Sequence, residues 1–233
     1  NQIQGTILDN GVATFDGNQT VALEVDTDGT WEVSGNSGSA TGYSGGTTVT
    51  SGTLLVNNTA GSGVGFGNVT VGNGTGTANL GGSGTLLADN TTSRNSANLA
   101  ARSSVSIGAN GTHHAGATID AGSVGTQTIA GDLSYADGAT IAWDLVSNSV
   151  ATPGTNYDQF VVNNGGSVTF NSSLNLQITF GTGVDFGDAF WNSGGGVNEW
   201  QIIDGTINAT LPTFDPNVTF NTTGASNSQF FKG

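Results

Sequence analysis

Short apolar runs separated by glycine, asparagine and serine set the rhythm of this chain. Residues 20–25, 47–50, 53–56 and 68–71 are strand-sized and rich in β-branched or aliphatic side chains. Toward the C-terminus the runs lengthen, at 160–163, 167–170, 174–180 and 200–204. Leu174, Leu176, Ile178 and Phe180 alternate with Asn175, Gln177 and Thr179, the two-residue period of a strand with one buried face. Recurrent runs of this size, closed by turn residues, predict an all-β protein. The segments between them are too short for crossover helices, so a coil of short strands and turns fits best.

A motif of Gly, a small residue and a β-branched or aliphatic pair recurs. It stands at Gly5-Thr6-Ile7-Leu8, Gly52-Thr53-Leu54-Leu55 and Gly84-Thr85-Leu86-Leu87, with weaker copies at Gly116-Ala117-Thr118-Ile119 and Gly138-Ala139-Thr140-Ile141. Repetition on this scale predicts a β-solenoid, in which each unit buries its apolar face only by stacking on the next. In each copy the glycine makes a corner, the aliphatics fill a narrow core, and a following asparagine ends the strand and ladders with its counterpart on the neighbouring coil. The Ala-containing stretch 95–104, with Arg94 and Arg102 at and within it, reads as a loop stepping off the coil. Three of the four tryptophans (Trp143, Trp191, Trp200) lie late in the chain, which predicts a solenoid over 1–145 and a wider, continuous C-terminal β region or cap over 146–233.

Composition narrows the function. There are 39 glycines, no charged residue between Val33 and Ala88, and a formal net charge of −14. The three cations, Arg94, Arg102 and Lys232, are too few to displace counterions from phosphates, which argues against nucleic acid and against an anionic membrane surface. Cysteine is absent, so disulfides play no part. No apolar stretch approaches the length of a membrane span, and no basic leader opens the chain, so export followed by signal-peptide removal is expected.

The stretch from Tyr43-Ser44-Gly45-Gly46-Thr47-Thr48-Val49-Thr50 through Leu54-Leu55-Val56-Asn57-Asn58 resembles the autotransporter-associated β-strand repeat, also called the passenger-associated transport repeat. Gly61-Ser62-Gly63-Val64-Gly65, Val69-Thr70-Val71 and Gly81-Gly82-Ser83-Gly84-Thr85-Leu86 continue it, and Gly131-Asp132-Leu133 and Tyr157-Asp158-Gln159-Phe160 are similar to segments that follow such repeats. The resemblance implies a right-handed parallel β-helix on an exported bacterial surface protein, serving as scaffold, adhesin or matrix component. It supplies no catalytic residues. Neither a membrane barrel nor a sorting tail follows Lys232-Gly233, so a processed product is expected.

Candidate chemistry is sparse. Asp26 and Asp28 before Gly29 carry the start of a calcium loop, though Asp28-Gly29 also reads as a hairpin turn between flanking strands. His113 and His114 point to opposite faces of a strand, so they do not share a metal, and Asn110-Gly111 before them suggests an exposed turn. Asp185 and Asp188 read as a solvated loop. With three cations a polysaccharide lyase is disfavoured, and the Thr-x-Thr pairs at 48–50, 75–77 and 126–128 are too unevenly spaced for an ice-binding rank. The expectation is a non-enzymatic extracellular structural protein without a cofactor, self-assembling into a fibre, sheath or matrix. Ile3, Ile7 and Leu8 would form the joint between copies. The alternative is an adhesin whose Tyr43, Trp191 and Trp200 stack on surface polysaccharide.

Overall fold

The computed structural model describes residues 2–4, 7, 21–37, 42–72, 76–87, 103–195, 197–208 and 218–226. The described strands begin with β1 (Gln2–Ile3), β2 (Leu23–Val33), β3 (Thr47–Val56), β4 (Val69–Val71), β5 (Ala78–Gly81) and β6 (Thr85–Leu86). Next come β7 (Ser104–Ile107), β8 (Gly111–His114), β9 (Thr126–Ile129), β10 (Asp132–Tyr135), β11 (Thr140–Ser147) and β12 (Gln159–Val162). The last are β13 (Ser167–Phe170), β14 (Asn175–Gly183), β15 (Ile203–Asp204), β16 (Thr206–Ile207) and β17 (Val218–Asn221). Among the described residues the one helical element is a 3-10 turn at Ala189–Gly195. None is long and apolar enough to cross a membrane.

The protein is all-β, and its strands pair in parallel. They form three ladders that the chain visits in turn. β2 and β3 each bend and serve two ladders. The first ladder continues through β4, β7, β10, β13 and β16. The second starts at β1 and continues through β5, β8, β11, β14 and β17. The third is a separate sheet of β6, β9, β12 and β15. Each circuit returns to the first ladder after an uneven interval, between 22 residues (Thr47 to Val69) and 39 (Val168 to Ile207).

Side chains in register stack along the interior. On the first ladder Val25, Val49, Val71, Ile107, Tyr135 and Phe170 follow one another, growing from aliphatic to aromatic toward the C-terminus. On the second, Trp31, Leu54, Leu80, His113, Ile141 and Leu176 share one column. One apolar core therefore runs between the ladders, held by burial of alternate residues. Late in the chain β11 and β14 run past the corner, and a second cluster forms there from Trp143, Leu145, Tyr157, Phe180, Val184 and Phe186. The boundary expected at 145/146 falls inside β11, which continues across it to Ser147 with a register irregularity against β14 between Leu145 and Ser147.

Three local expectations are corrected. The Gly-Thr-Leu-Leu copies do not stack on one another: Thr53 pairs with Asn79 on the second ladder, whereas Thr85 lies on the third, opposite Thr128. The motif records the chemistry of a corner, and the coil has several corners. Asp28-Gly29 is no hairpin, because β2 continues through it in parallel with β3, its register slipping between Val25 and Asp26 and again between Asp26 and Thr30. Asparagines bridge coils differently from a side-chain ladder. Asn58 Oδ1 accepts the Thr85 N–H at 2.9 Å, Asn57 Oδ1 the Ser83 N–H at 3.0 Å, and Asn68 Oδ1 the Ser104 N–H at 3.1 Å. Asp132 does the same for Ser167 at 2.8 Å. A corner amide or carboxylate thus satisfies a backbone donor on the next circuit that the ladder leaves unpaired.

The chain turns between the first and second ladders at Gly52, in the middle of β3. Its φ is +77°, and a Cβ there would stand 1.8 Å from the Thr27 carbonyl oxygen on the preceding circuit. Only glycine fits such a corner.

Candidate functional site

The two histidines of β8 enter two different polar clusters, both buried, so the expected exposed turn is corrected. His113 faces inward, in a column otherwise filled by Trp31 and aliphatics. Its Nδ1 lies 2.7 Å from the Tyr135 hydroxyl and its Nε2 lies 2.6 Å from Gln127 Oε1. The Gln127 amide donates to the carbonyls of Gly81 at 3.1 Å and Gly82 at 2.8 Å. The Phe160 ring packs against the imidazole with centroids 4.1 Å apart. Burial lowers the His113 pKa to about 4.

His114 faces outward, next to the segment 116–125. Its partners are Asp144, two residues past the Ala142 that pairs with it, and Asp158, just before β12. Nε2 lies 3.4 Å from Asp144 Oδ2 and 3.2 Å from Asp158 Oδ2, and all three side chains are at least 97% buried. Backbone amides organise the carboxylates. Gly125 N–H donates to Asp158 Oδ1 at 2.8 Å, Asp144 N–H to Asp158 Oδ2 at 3.0 Å, and Gly122 N–H to Asp144 Oδ2. The Trp143 indole donates to the Asp158 carbonyl at 2.7 Å. Burial raises the Asp158 pKa to about 7, against the opposing pull of His114 and the Gly125 amide. Burial works against a charge on His114 too, but the Asp144 contact and both carboxylate charges outweigh it and leave its pKa above the ordinary value. Two carboxylates facing one imidazole leave an excess of negative charge in a dry site, which favours an added proton or a cation. This is the one His/Asp/Glu group among the described residues with the spacing to hold a metal ion.

No family model, no curated protein and no solved structure matches the chain.

The residues singled out from sequence lie elsewhere. Asp26 and Asp28 are exposed; Asp26 Oδ1 accepts the Thr50 hydroxyl at 2.7 Å, and the pair joins no ligand cluster among the described residues. Ile3 sits on β1, paired with Val33, and the Ile7 N–H donates to Ser37 Oγ at 3.3 Å. Leu8, Arg94 and Lys232 lie outside the described residues, as do Arg102 and most of the expected 95–104 loop. Tyr43 is fully buried, its hydroxyl 2.6 Å from Thr47 Oγ1, so it offers no face to a sugar. Trp191 and Trp200 are half-buried against the second cluster, with their indole N–H groups turned to the Asp185 carbonyl at 2.9 Å and the Ser149 carbonyl at 2.8 Å. Asp185 and Asp188 accept the N–H groups of Gly187 and Phe190 in local turns, at 2.8 and 2.7 Å.

A signal for the missed cluster did exist. Asp144 interrupts the apolar run Ile141-Ala142-Trp143-Asp144-Leu145, and Asp158 stands between Tyr157 and Phe160. An acid embedded in a strand-like apolar run is buried with a partner more often than it is solvated.

Proposed function

We propose that this chain is a right-handed parallel β-helix acting as a non-enzymatic structural protein of a bacterial cell surface, and that copies join end to end into an extracellular fibre, sheath or matrix. The carrying observation is the last strand of each long ladder. β16 and β17 have no later strand beyond them among the described residues, and Ile207 and Phe220 on them are 42% and 40% exposed. A strand edge carrying exposed apolar side chains is a template for another copy's strand. Right-handedness is supported by the strong bias of parallel crossovers. The bacterial surface is supported by the autotransporter-type repeat resemblance, with its Gly, Asn and Thr-rich composition.

Joints of this kind rest on backbone pairing and apolar burial. Salt screens the repulsion between copies that each carry −14 and leaves those contacts intact. Light scattering and electron microscopy of the purified chain are expected to show oligomers or filaments that persist or grow in 1 M NaCl and in reducing agent. A chain that stays monomeric at high concentration, or assemblies that dissociate in salt, would overturn the proposal.

A further inference from the structure

We propose that His114, Asp144 and Asp158 form a binding site for one divalent transition-metal ion, zinc by its chemistry, with His114 Nε2 and one oxygen from each carboxylate as ligands. The site is independent of the end-to-end joint.

Three observations carry this. The first is spacing. The imidazole nitrogen stands 3.2 and 3.4 Å from the two carboxylate oxygens. A charge-assisted N–H···O contact closes to about 2.7–2.9 Å, so the groups stand farther apart than their own attraction would place them. Ligands about 2.0–2.1 Å from a tetrahedral zinc ion are separated by about 3.3 Å. The second is charge. With the imidazole neutral and both carboxyl groups deprotonated, as metal ligands must be, the set sums to −2, which one divalent ion cancels. The third is an orphaned atom. Asp144 is buried, yet its contacts involve Oδ2 and leave Oδ1 without a hydrogen-bond donor among the described residues. A buried carboxylate short of donors is costly, and a cation bound through its Oδ2 compensates the charge of the same carboxylate.

The donor set selects the metal. One imidazole with two carboxylates suits zinc and its neighbours, whereas calcium requires six to eight oxygens and magnesium keeps its waters. A fourth position is left for water. The Gly116 N–H donates to His114 Nδ1 at 3.2 Å, so the metal-free ring carries its neutral-state proton on Nε2. Zinc on Nε2 moves that proton to Nδ1, and the Gly116 N–H gives up its contact there. The ion would tie β8, β11 and the approach to β12 to the segment 116–125, whose Gly122 and Gly125 amides hold the same carboxylates. Its role would be to clamp two adjacent circuits.

The test is zinc chloride titration of EDTA-stripped protein, followed by native mass spectrometry and calorimetry, with calcium and magnesium as controls. One zinc ion per chain is expected, with a Tm rise of about 5–10 °C at a hundredfold excess over Kd. Asp144→Asn should weaken zinc at least tenfold. No stoichiometric uptake, or uptake unchanged in Asp144→Asn, overturns the site. If that variant does not fold, NMR of the wild-type chain decides: zinc must shift the His114 ring resonances and move its proton to Nδ1. Zinc bound with those resonances unmoved also overturns the proposal.

Discussion

His113 and Gln127 meet across the interior with Nε2 2.6 Å from Oε1, and this contact assigns every proton in the core network. The Gln127 amide nitrogen is already committed to the Gly81 and Gly82 carbonyls, so its oxygen accepts and His113 Nε2 donates. His113 Nδ1 must then accept from the Tyr135 hydroxyl, 2.7 Å away. One imidazole on the second ladder thereby ties the first ladder, through Tyr135, to the third, through Gln127.

Tyr135→Phe removes the only proton offered to His113 Nδ1 and leaves a buried acceptor without a donor. A loss of about 1–3 kcal/mol is expected by urea unfolding, because the ring volume is kept while a buried polar atom is orphaned. NMR of the wild-type chain should show His113 as the neutral Nε2–H tautomer at pH 7.

Alkali should destabilise the protein through its buried phenols. Burial raises the pKa of Tyr135, and it raises Tyr43 as well, although the Thr47 and Gly65 hydrogen bonds oppose it there. Both groups are raised above the unfolded value near 10, so their contribution is complete below pH 10 and is lost as pH rises beyond it. Each costs about 1.4 kcal/mol per pH unit while it stays protonated in the fold and ionises in the unfolded chain. Absorbance at 295 nm should show Tyr43 and Tyr135 ionising only on unfolding, and Tyr135→Phe should flatten the decline in stability between pH 10 and 12.

Gly52→Ala should cost about 2 kcal/mol or more, since it places a side chain in the left-handed region and drives a Cβ onto the Thr27 carbonyl. Gly29→Ala is the control. Its Cβ would meet only Thr27 Oγ1 at an ordinary 3.6 Å, and a change of about 0.5 kcal/mol or less is expected. Equal losses in thermal melts of the two variants would refute the corner assignment.

Asn58→Ala should cost about 1–3 kcal/mol, because this buried amide accepts from Thr85 on the next circuit and donates to the Ala60 and Gly61 carbonyls at 3.1 and 3.0 Å. Hydrogen exchange should report the loss at the Thr85 amide in particular. Unchanged protection there would count against bridging between coils.

The apolar rhythm of the chain determined its strands. The separate runs at 47–50 and 53–56 joined into the single strand β3, and those at 68–71, 167–170 and 174–180 became β4, β13 and β14, because strand-sized apolar runs with turn residues at each end suit few other structures. On the first ladder Tyr135 and Phe170 stand in the column that Val25, Val49 and Val71 fill on earlier circuits. Register was decided only in three dimensions. A Gly-Thr-Leu-Leu motif fits any corner of a coil, and loops of unequal length determine which corner it occupies, so equal spacing in sequence did not mean stacking in space. The same reason hid the polar clusters. Nothing local distinguishes His114 from a surface histidine; its burial depends on Asp144 and Asp158, brought to it from the next circuit by the pairing of β8 with β11 and the return of the chain to β12. Local periodicity can specify which face of a strand is buried, but the partners of a buried charge are chosen by how the circuits align.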